Sequence, residues 1–223
     1  IGVTLGKLSG NVYAAKDIKS PEDLKGKKWA ISSFGSEAHA ASLAALKYFG
    51  LSDKEVTIVQ VGNQGNRFAA LESGQVQVTT LLPPVSARAD AAGYPKLGEL
   101  PVIAPNFLSV GPGTSTKTIS ERRDVVKAFL AALAEATAAY KKDRGGAIEV
   151  LQKQLKIADI KNAELAWDYY SPLNSSDLRP TSESLQYFLD RSEDAKAKTT
   201  KPEDLMDLSL LDEITKEGAF KAE

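Results

Sequence analysis

The residues of this chain best suited to holding a small polar molecule gather in three short runs. Ser33-Phe34-Gly35-Ser36 joins two hydroxyls to a flexible glycine, so that backbone N–H groups can approach an anion or polar ligand while Phe34 stacks on it. Gly62-Asn63-Gln64-Gly65-Asn66-Arg67 joins amide donors to a guanidinium whose planar fork can grip a carboxylate or sulfonate through two bonds. Leu82-Pro83-Pro84 is a stiff apolar edge, better at shaping a wall than at donating anything. Each of the first two runs also has a plainer reading, Ser36 as a simple helix N-cap and Arg67 as a solvated residue at a helix start.

Covalent chemistry is short of parts. The chain has no cysteine, which excludes disulfides, thiol nucleophiles and Cys-ligated zinc or iron–sulfur sites. Its single histidine, His39, is spaced with Leu43 and Leu46 one turn inside a helix, the position of a packing or surface-edge residue. One histidine also rules out His-pair metal sites. The carboxylate pairs Glu22-Asp23, Glu203-Asp204 and Asp212-Glu213 fall at helix starts or on solvated faces, where dipole and solvent account for them. Gly111-Pro112-Gly113 reads as a turn, and the GxxxxGK phosphate loop is absent. These residues predict a protein that is not an enzyme and needs no cofactor. Lys and Arg number 28 against 29 Asp and Glu, with no long single-sign block, so nucleic acid is not an expected partner. No run approaches the roughly 18 apolar residues of a membrane span.

The three runs sit where an α/β pattern would place them. Lys28–Ser32 (KWAIS) reads as a strand, and Ser33–Ser36 turns it into a helix from about Glu37 to Phe49, closed by Gly50. Val56–Val61 is a second strand, followed by the loop 62–65 and a helix from Asn66 to Ser73. Val76–Leu82 is a third, followed by Pro83-Pro84 and a helix from Val85 to Ala92. Three strand–loop–helix units imply a largely parallel sheet with right-handed crossovers, and ligands then bind beyond the carboxyl ends of the strands. Upstream, Ile1–Ala15 reads as strand and turn, and Ser20-Pro21-Glu22-Asp23-Leu24 as a helix start. Downstream, Leu100–Leu108 is extended and 110–118 is a turn. Helices follow from Ser120, over 146–155, over 163–169, from Thr181 or Ser182 to Glu193, and in an amphipathic tail over 202–214. The composition shift puts a boundary near residue 100.

Together these segments resemble the nitrate/sulfonate/taurine group of solute-binding proteins of ABC importers. Ile18-Lys19-Ser20-Pro21-Glu22-Asp23-Leu24-Lys25-Gly26-Lys27-Lys28 is similar to the entry to that group's second lobe. Ala69-Ala70-Leu71-Glu72-Ser73-Gly74-Gln75-Val76, then Leu82-Pro83-Pro84, and finally Lys201-Pro202-Glu203-Asp204-Leu205-Met206-Asp207 resemble later motifs, in order along nearly the whole chain. Gln77 departs from the group, which usually has Asp there.

The resemblance implies a periplasmic-binding-protein type II-like α/β fold, with one complete three-layer α/β lobe followed by a helix-rich partial lobe. On that reading residues 1–16 are a hinge and partial strand of lobe one, 17–100 are lobe two with the ligand-facing loops, and 101–223 return to lobe one. The first half of lobe one is expected before Ile1, either cut away or naturally missing. The implied function is capture of a small, anionic (sulfonate-, nitrate- or carboxylate-like) solute between two lobes and delivery to a membrane permease. Ser33, Phe34, Gly35, Ser36, Asn63, Arg67, Pro83 and Pro84 match the ligand-facing positions. The implied location is periplasmic or otherwise extracytoplasmic, with or without a lipid anchor. A ligand-sensing domain of a signalling protein is an alternative. A pyrimidine-precursor synthase relative is another, but that family's cysteine-rich stretch has no counterpart in this Cys-free chain.

Overall fold

Five short strands, three of them rich in β-branched or apolar residues, form one sheet. The computed structural model describes residues 1–192 and 194–220. It divides into two units, one of Leu8–Pro105 and one of Ile1–Lys7 with the chain from Asn106 onward.

The first unit holds β1 (Asn11–Ala14), β2 (Lys28–Ile31), α1 (Glu37–Tyr48), β3 (Thr57–Gln60), α2 (Gln64–Glu72), β4 (Val78–Leu81), α3 (Val85–Ala91), β5 (Lys96–Glu99) and the single turn α4 (Leu100–Ile103). The strand order is β3-β2-β4-β1-β5. β2 runs parallel to β3 and β4, with Trp29 opposite both Ile58 and Val78. The buried Thr79 hydroxyl donates to the Ala30 carbonyl at 3.0 Å and adds a side-chain tie between β4 and β2.

From β2 the chain moves one way to β3 and then back across β2 to β4. Right-handed crossovers in opposite directions place α1 and α2 on opposite faces, which makes three layers. α1 packs on β2 and β4 together with α4, while α2 packs on β4 and β2 together with α3. Between sheet and α2–α3 lies a core of Tyr13, Ala30, Phe68, Leu71, Val76, Leu81 and Ala89, all buried.

Three features differ from the sequence reading. The stretch 1–16 is divided between the units, and β1 lies inside the five-stranded sheet, antiparallel to β4 and β5. Its Val12, Tyr13 and Ala14 are fully buried there, which is what an inserted strand requires of both faces. Gly10 makes the entry possible: at φ +102° a Cβ would stand 2.8 Å from the Leu81 carbonyl oxygen. The stretch 100–108 is not wholly extended, because Pro101 sits at the start of a helical turn. Pro21–Leu24 is a 3-10 turn, its Ser20 N–H held by the Asp23 carboxylate at 2.9 Å.

The second unit is helical: α5 (Thr116–Glu121), α6 (Arg123–Lys142), α7 (Arg144–Leu155), α8 (Ile160–Tyr170), α9 (Ser182–Leu189) and α10 (Ser209–Lys216). The helix expected to reach Glu193 ends at Leu189, and Glu193 lies outside the described residues. Among the described residues this unit has no strand. Extended segments meet instead at Leu5, which bridges to Val110 and to Asn174. Its core joins α6 to α10 through Val126, Leu130, Ala134, Leu210, Leu211 and Ile214. Glu213 of α10 pairs with Arg123 and Lys127 of α6 across the rim of that core.

Candidate functional site

β2, β3 and β4 point the same way, so their carboxyl ends, Ile31, Gln60 and Leu81, share one edge of the sheet. Chain direction diverges there. The helix after β2 leads outward to β3, and the helix after β4 leads the other way to β5, which leaves a crevice at the strand ends. All three residue runs singled out from sequence lie on this edge.

The β2–α1 loop is knitted to itself. Ser36 is the N-cap of α1. Its hydroxyl donates to the Ser33 carbonyl at 2.6 Å and accepts from the Ser32 hydroxyl at 2.8 Å and from the His39 N–H at 3.3 Å. Gly35 takes φ +78°, the left-handed turn that its missing side chain allows. Two backbone donors of the loop are already engaged: the Phe34 N–H donates to Gln60 Oε1 at 2.8 Å, and the Gly35 N–H to His39 Nδ1 at 3.1 Å. Phe34 stands 58% exposed, its ring edge-on to His39 at 5.2 Å between centroids. Ser33 is exposed beside it.

Asn63 caps α2, its Oδ1 accepting from the Asn66 N–H at 3.0 Å. The Arg67 N–H goes to the Asn63 carbonyl, so the N–H groups of Gln64 and Gly65 stand at the open end of the helix. No acidic residue sits in the first turn of α2, whereas Glu37 occupies that of α1 and accepts from the Ser9 hydroxyl at 3.4 Å. The positive end of the α2 dipole is therefore the less neutralised of the two.

Arg67 does not offer its fork to solvent. It is 4% exposed, with Nη1 donating to the Gly62 carbonyl at 2.9 Å and Nη2 to the Thr80 carbonyl at 3.1 Å. Its Nε is buried without a partner, a group whose desolvation costs about 1–3 kcal/mol. Burial holds its pKa below the ordinary arginine value. Among the described residues no carboxylate pairs with it.

Pro83 and Pro84 are half-buried and joined by a cis peptide bond. They form the wall at the start of α3, and the preceding Leu82 N–H donates to Gln64 Oε1 at 3.1 Å. The eight expected residues thus share the sheet edge, as wall, loop or cap, with Arg67 beneath them. Sequence reasoning passed over Gln60 and counted Gln64 only among the amide donors of the second run; their side chains tie adjacent loops together. The available signal was a polar residue ending an otherwise apolar strand and another opening a helix. His39, read as a packing or surface-edge residue, is half-buried and braces the first loop as an acceptor. Among the described residues no three His, Cys, Asp or Glu side chains group as a metal site.

Comparison with known proteins bears on the fold. A protein from Bordetella bronchiseptica RB50 superposes with TM-score 0.75 at 18% identity, over 97% of this chain and 74% of that one. The periplasmic aliphatic sulphonate binding protein SsuA from Escherichia coli gives 0.69 at 18% identity, over 92% and 71%. The alkanesulfonate-binding protein SsuA from Xanthomonas axonopodis pv. citri, bound to MOPS, gives 0.64 at 20% identity, over 95% and 71%. These likenesses show the periplasmic-binding-protein fold. No curated protein matches the sequence. The NMT1/THI5 like family model matches residues 6–145, well over half of the chain. This chain, with its loop edge on a mixed five-stranded sheet, belongs to the NMT1/THI5 like family.

Proposed function

We propose that this chain is the solute-capturing component of an ABC importer, taking a small anion of the sulfonate, nitrate or carboxylate kind and passing it to a membrane permease outside the cytoplasm. The observation that carries this reading is the loop edge. Three strand ends converge there, the α2 N-terminus is uncapped by any acidic side chain, and a buried guanidinium lies below it. The polar end of the solute sits over the open α2 amides and the Ser33 hydroxyl, and Phe34 covers its apolar part. The sulfonate-binding proteins among the structural neighbours support the same class of solute.

Binding without chemistry fits the side chains at the edge. The single histidine, His39, already uses Nδ1 as an acceptor within the loop. The test is calorimetry of the purified chain against methanesulfonate, nitrate and acetate, with choline as a cationic control, and native mass spectrometry for any co-purified molecule. At least one anion is expected to bind and choline is not. If every anion fails to bind and no co-purified mass is found, the reading is wrong.

A further inference from the structure

Resting on that solute-binding reading, we propose that Arg67 sets the charge preference of the site from beneath the loops, without touching the solute. Three observations converge on it. Its guanidinium joins the turn after β3 to the end of β4 through the Gly62 and Thr80 carbonyls, the two strand ends that carry the second and third loops. It is buried, so a solute resting on the loops meets its charge through protein rather than through water, where a field is weakened far less. Its charge is also not cancelled locally, since both of its acceptors are neutral carbonyls and no carboxylate pairs with it among the described residues.

The charges around the edge sharpen the point. Along residues 31–37, 60–67 and 81–86 the charged side chains are Glu37 and Arg67 alone. Removing the positive one would leave this rim with a net negative charge, hostile to the anion that the α2 N-terminus favours. A simple strut between two carbonyls has no need of a charge. A buried orphan Nε–H and an unpaired cation are costs that a strut alone does not explain. Desolvation is the only perturbation of its titration, which agrees with the absence of a close charge partner.

The experiment compares two probes of one shape, methanesulfonate and the neutral methanesulfonamide, binding to the wild-type chain, Arg67→Gln and Arg67→Lys. Circular dichroism and melting establish that each variant is folded. Arg67→Gln is expected to weaken methanesulfonate roughly tenfold or more, the order expected when a unit charge acting through protein at an effective dielectric near 20 is removed. Methanesulfonamide should move by less than about threefold, and Arg67→Lys should keep most of the anion preference. Equal loss for both probes, with Lys no better than Gln, would make Arg67 a strut and overturn the proposal. Should Arg67→Gln not fold, Arg67→Lys decides alone: retained preference supports the proposal and lost preference overturns it. Wild-type protein that binds both probes equally overturns the role of Arg67 only. Wild-type protein that binds neither probe overturns the proposal for sulfonates, and the solute-binding reading itself falls if nitrate and acetate also fail to bind and no molecule co-purifies.

Discussion

The two units handle apolar surface differently. In the sheet-bearing unit the large exposed apolar side chains are Phe34, Tyr48 and Val102, and Phe34 belongs to the loop edge. Among the described residues of the helical unit there are nine, including Val125, Phe129, Val150, Leu155 and Ile160. A sheet offers two flat faces, and a helix laid on either one buries its whole apolar stripe. A helix packed only on helices buries one stripe and leaves any second one bare. α6 shows this plainly: Val126, Leu130 and Ala134 are buried while Val125 and Phe129, one position earlier in each turn, are more than half exposed. Side chains of the same type at the same helical spacing thus carry different energetic weight in the two units.

Core truncations should separate the units most clearly. Phe68→Ala, at a site 1% exposed, is expected to lose about 3–5 kcal/mol, and Leu130→Ala about 2–3 kcal/mol because neighbouring helices can settle into the gap. Urea unfolding followed by circular dichroism measures both, and a larger loss at Leu130 would invert the comparison.

Acid provides a second contrast. Glu203, Asp207 and Glu213 in the helical unit, and Asp23 and Glu55 in the sheet unit, are all held below the ordinary carboxylate range. Glu213 owes this first to Arg123, and Asp207 to Ser209, while Asp23 and Glu55 owe it to backbone N–H groups. A carboxylate with a lowered native pKa adds stability that is complete above its unfolded pKa and is lost as pH falls through the native one. Both units should therefore begin to weaken as pH falls through the ordinary carboxylate range and go on weakening below it, the helical unit over more groups. Glu213→Gln should flatten the acid limb of the melting temperature between neutrality and pH about 3. An unchanged limb would mean that the Glu213 pairs contribute nothing in solution.

The smallest expected effect is at Phe129. Phe129→Ser should change stability by no more than about 0.5 kcal/mol, the usual range for exposed positions. A loss approaching that of Phe68→Ala would show the α6 face to be covered in solution and would erase the contrast between the units.

The legible part of the fold was the part with local punctuation. β2, β3 and β4 are each followed at once by a turn and a helix, and the glycines at 50, 74 and 93 close those helices at positive φ. β1 was harder to place, because Asn11–Ala14 looks the same in sequence whichever strands it joins, and its partners lie at 78–81 and 96–99. That the three loops end parallel strands was readable from residue type and position. The burial of Arg67 was hidden, since a guanidinium at a helix start reads as solvated until the carbonyls of Gly62 and Thr80 are known to face it. For the same reason the bonds from the Phe34 N–H to Gln60 and from the Leu82 N–H to Gln64 join segments whose adjacency only the sheet order supplies.

The position of β1 also governs how the sheet can be assembled. On a chain made from its N-terminus, Asn11–Ala14 is synthesised before either of its neighbours, yet it must lie between β4 and β5. Three parallel strands can gather in order of synthesis as β2, β3 and β4 appear, while β1 waits for an edge that β4 has yet to form. Pairings so distant along the chain make for high contact order and slow folding. Until they form, the side of β4 that faces β1 remains an open edge on which a foreign strand could add.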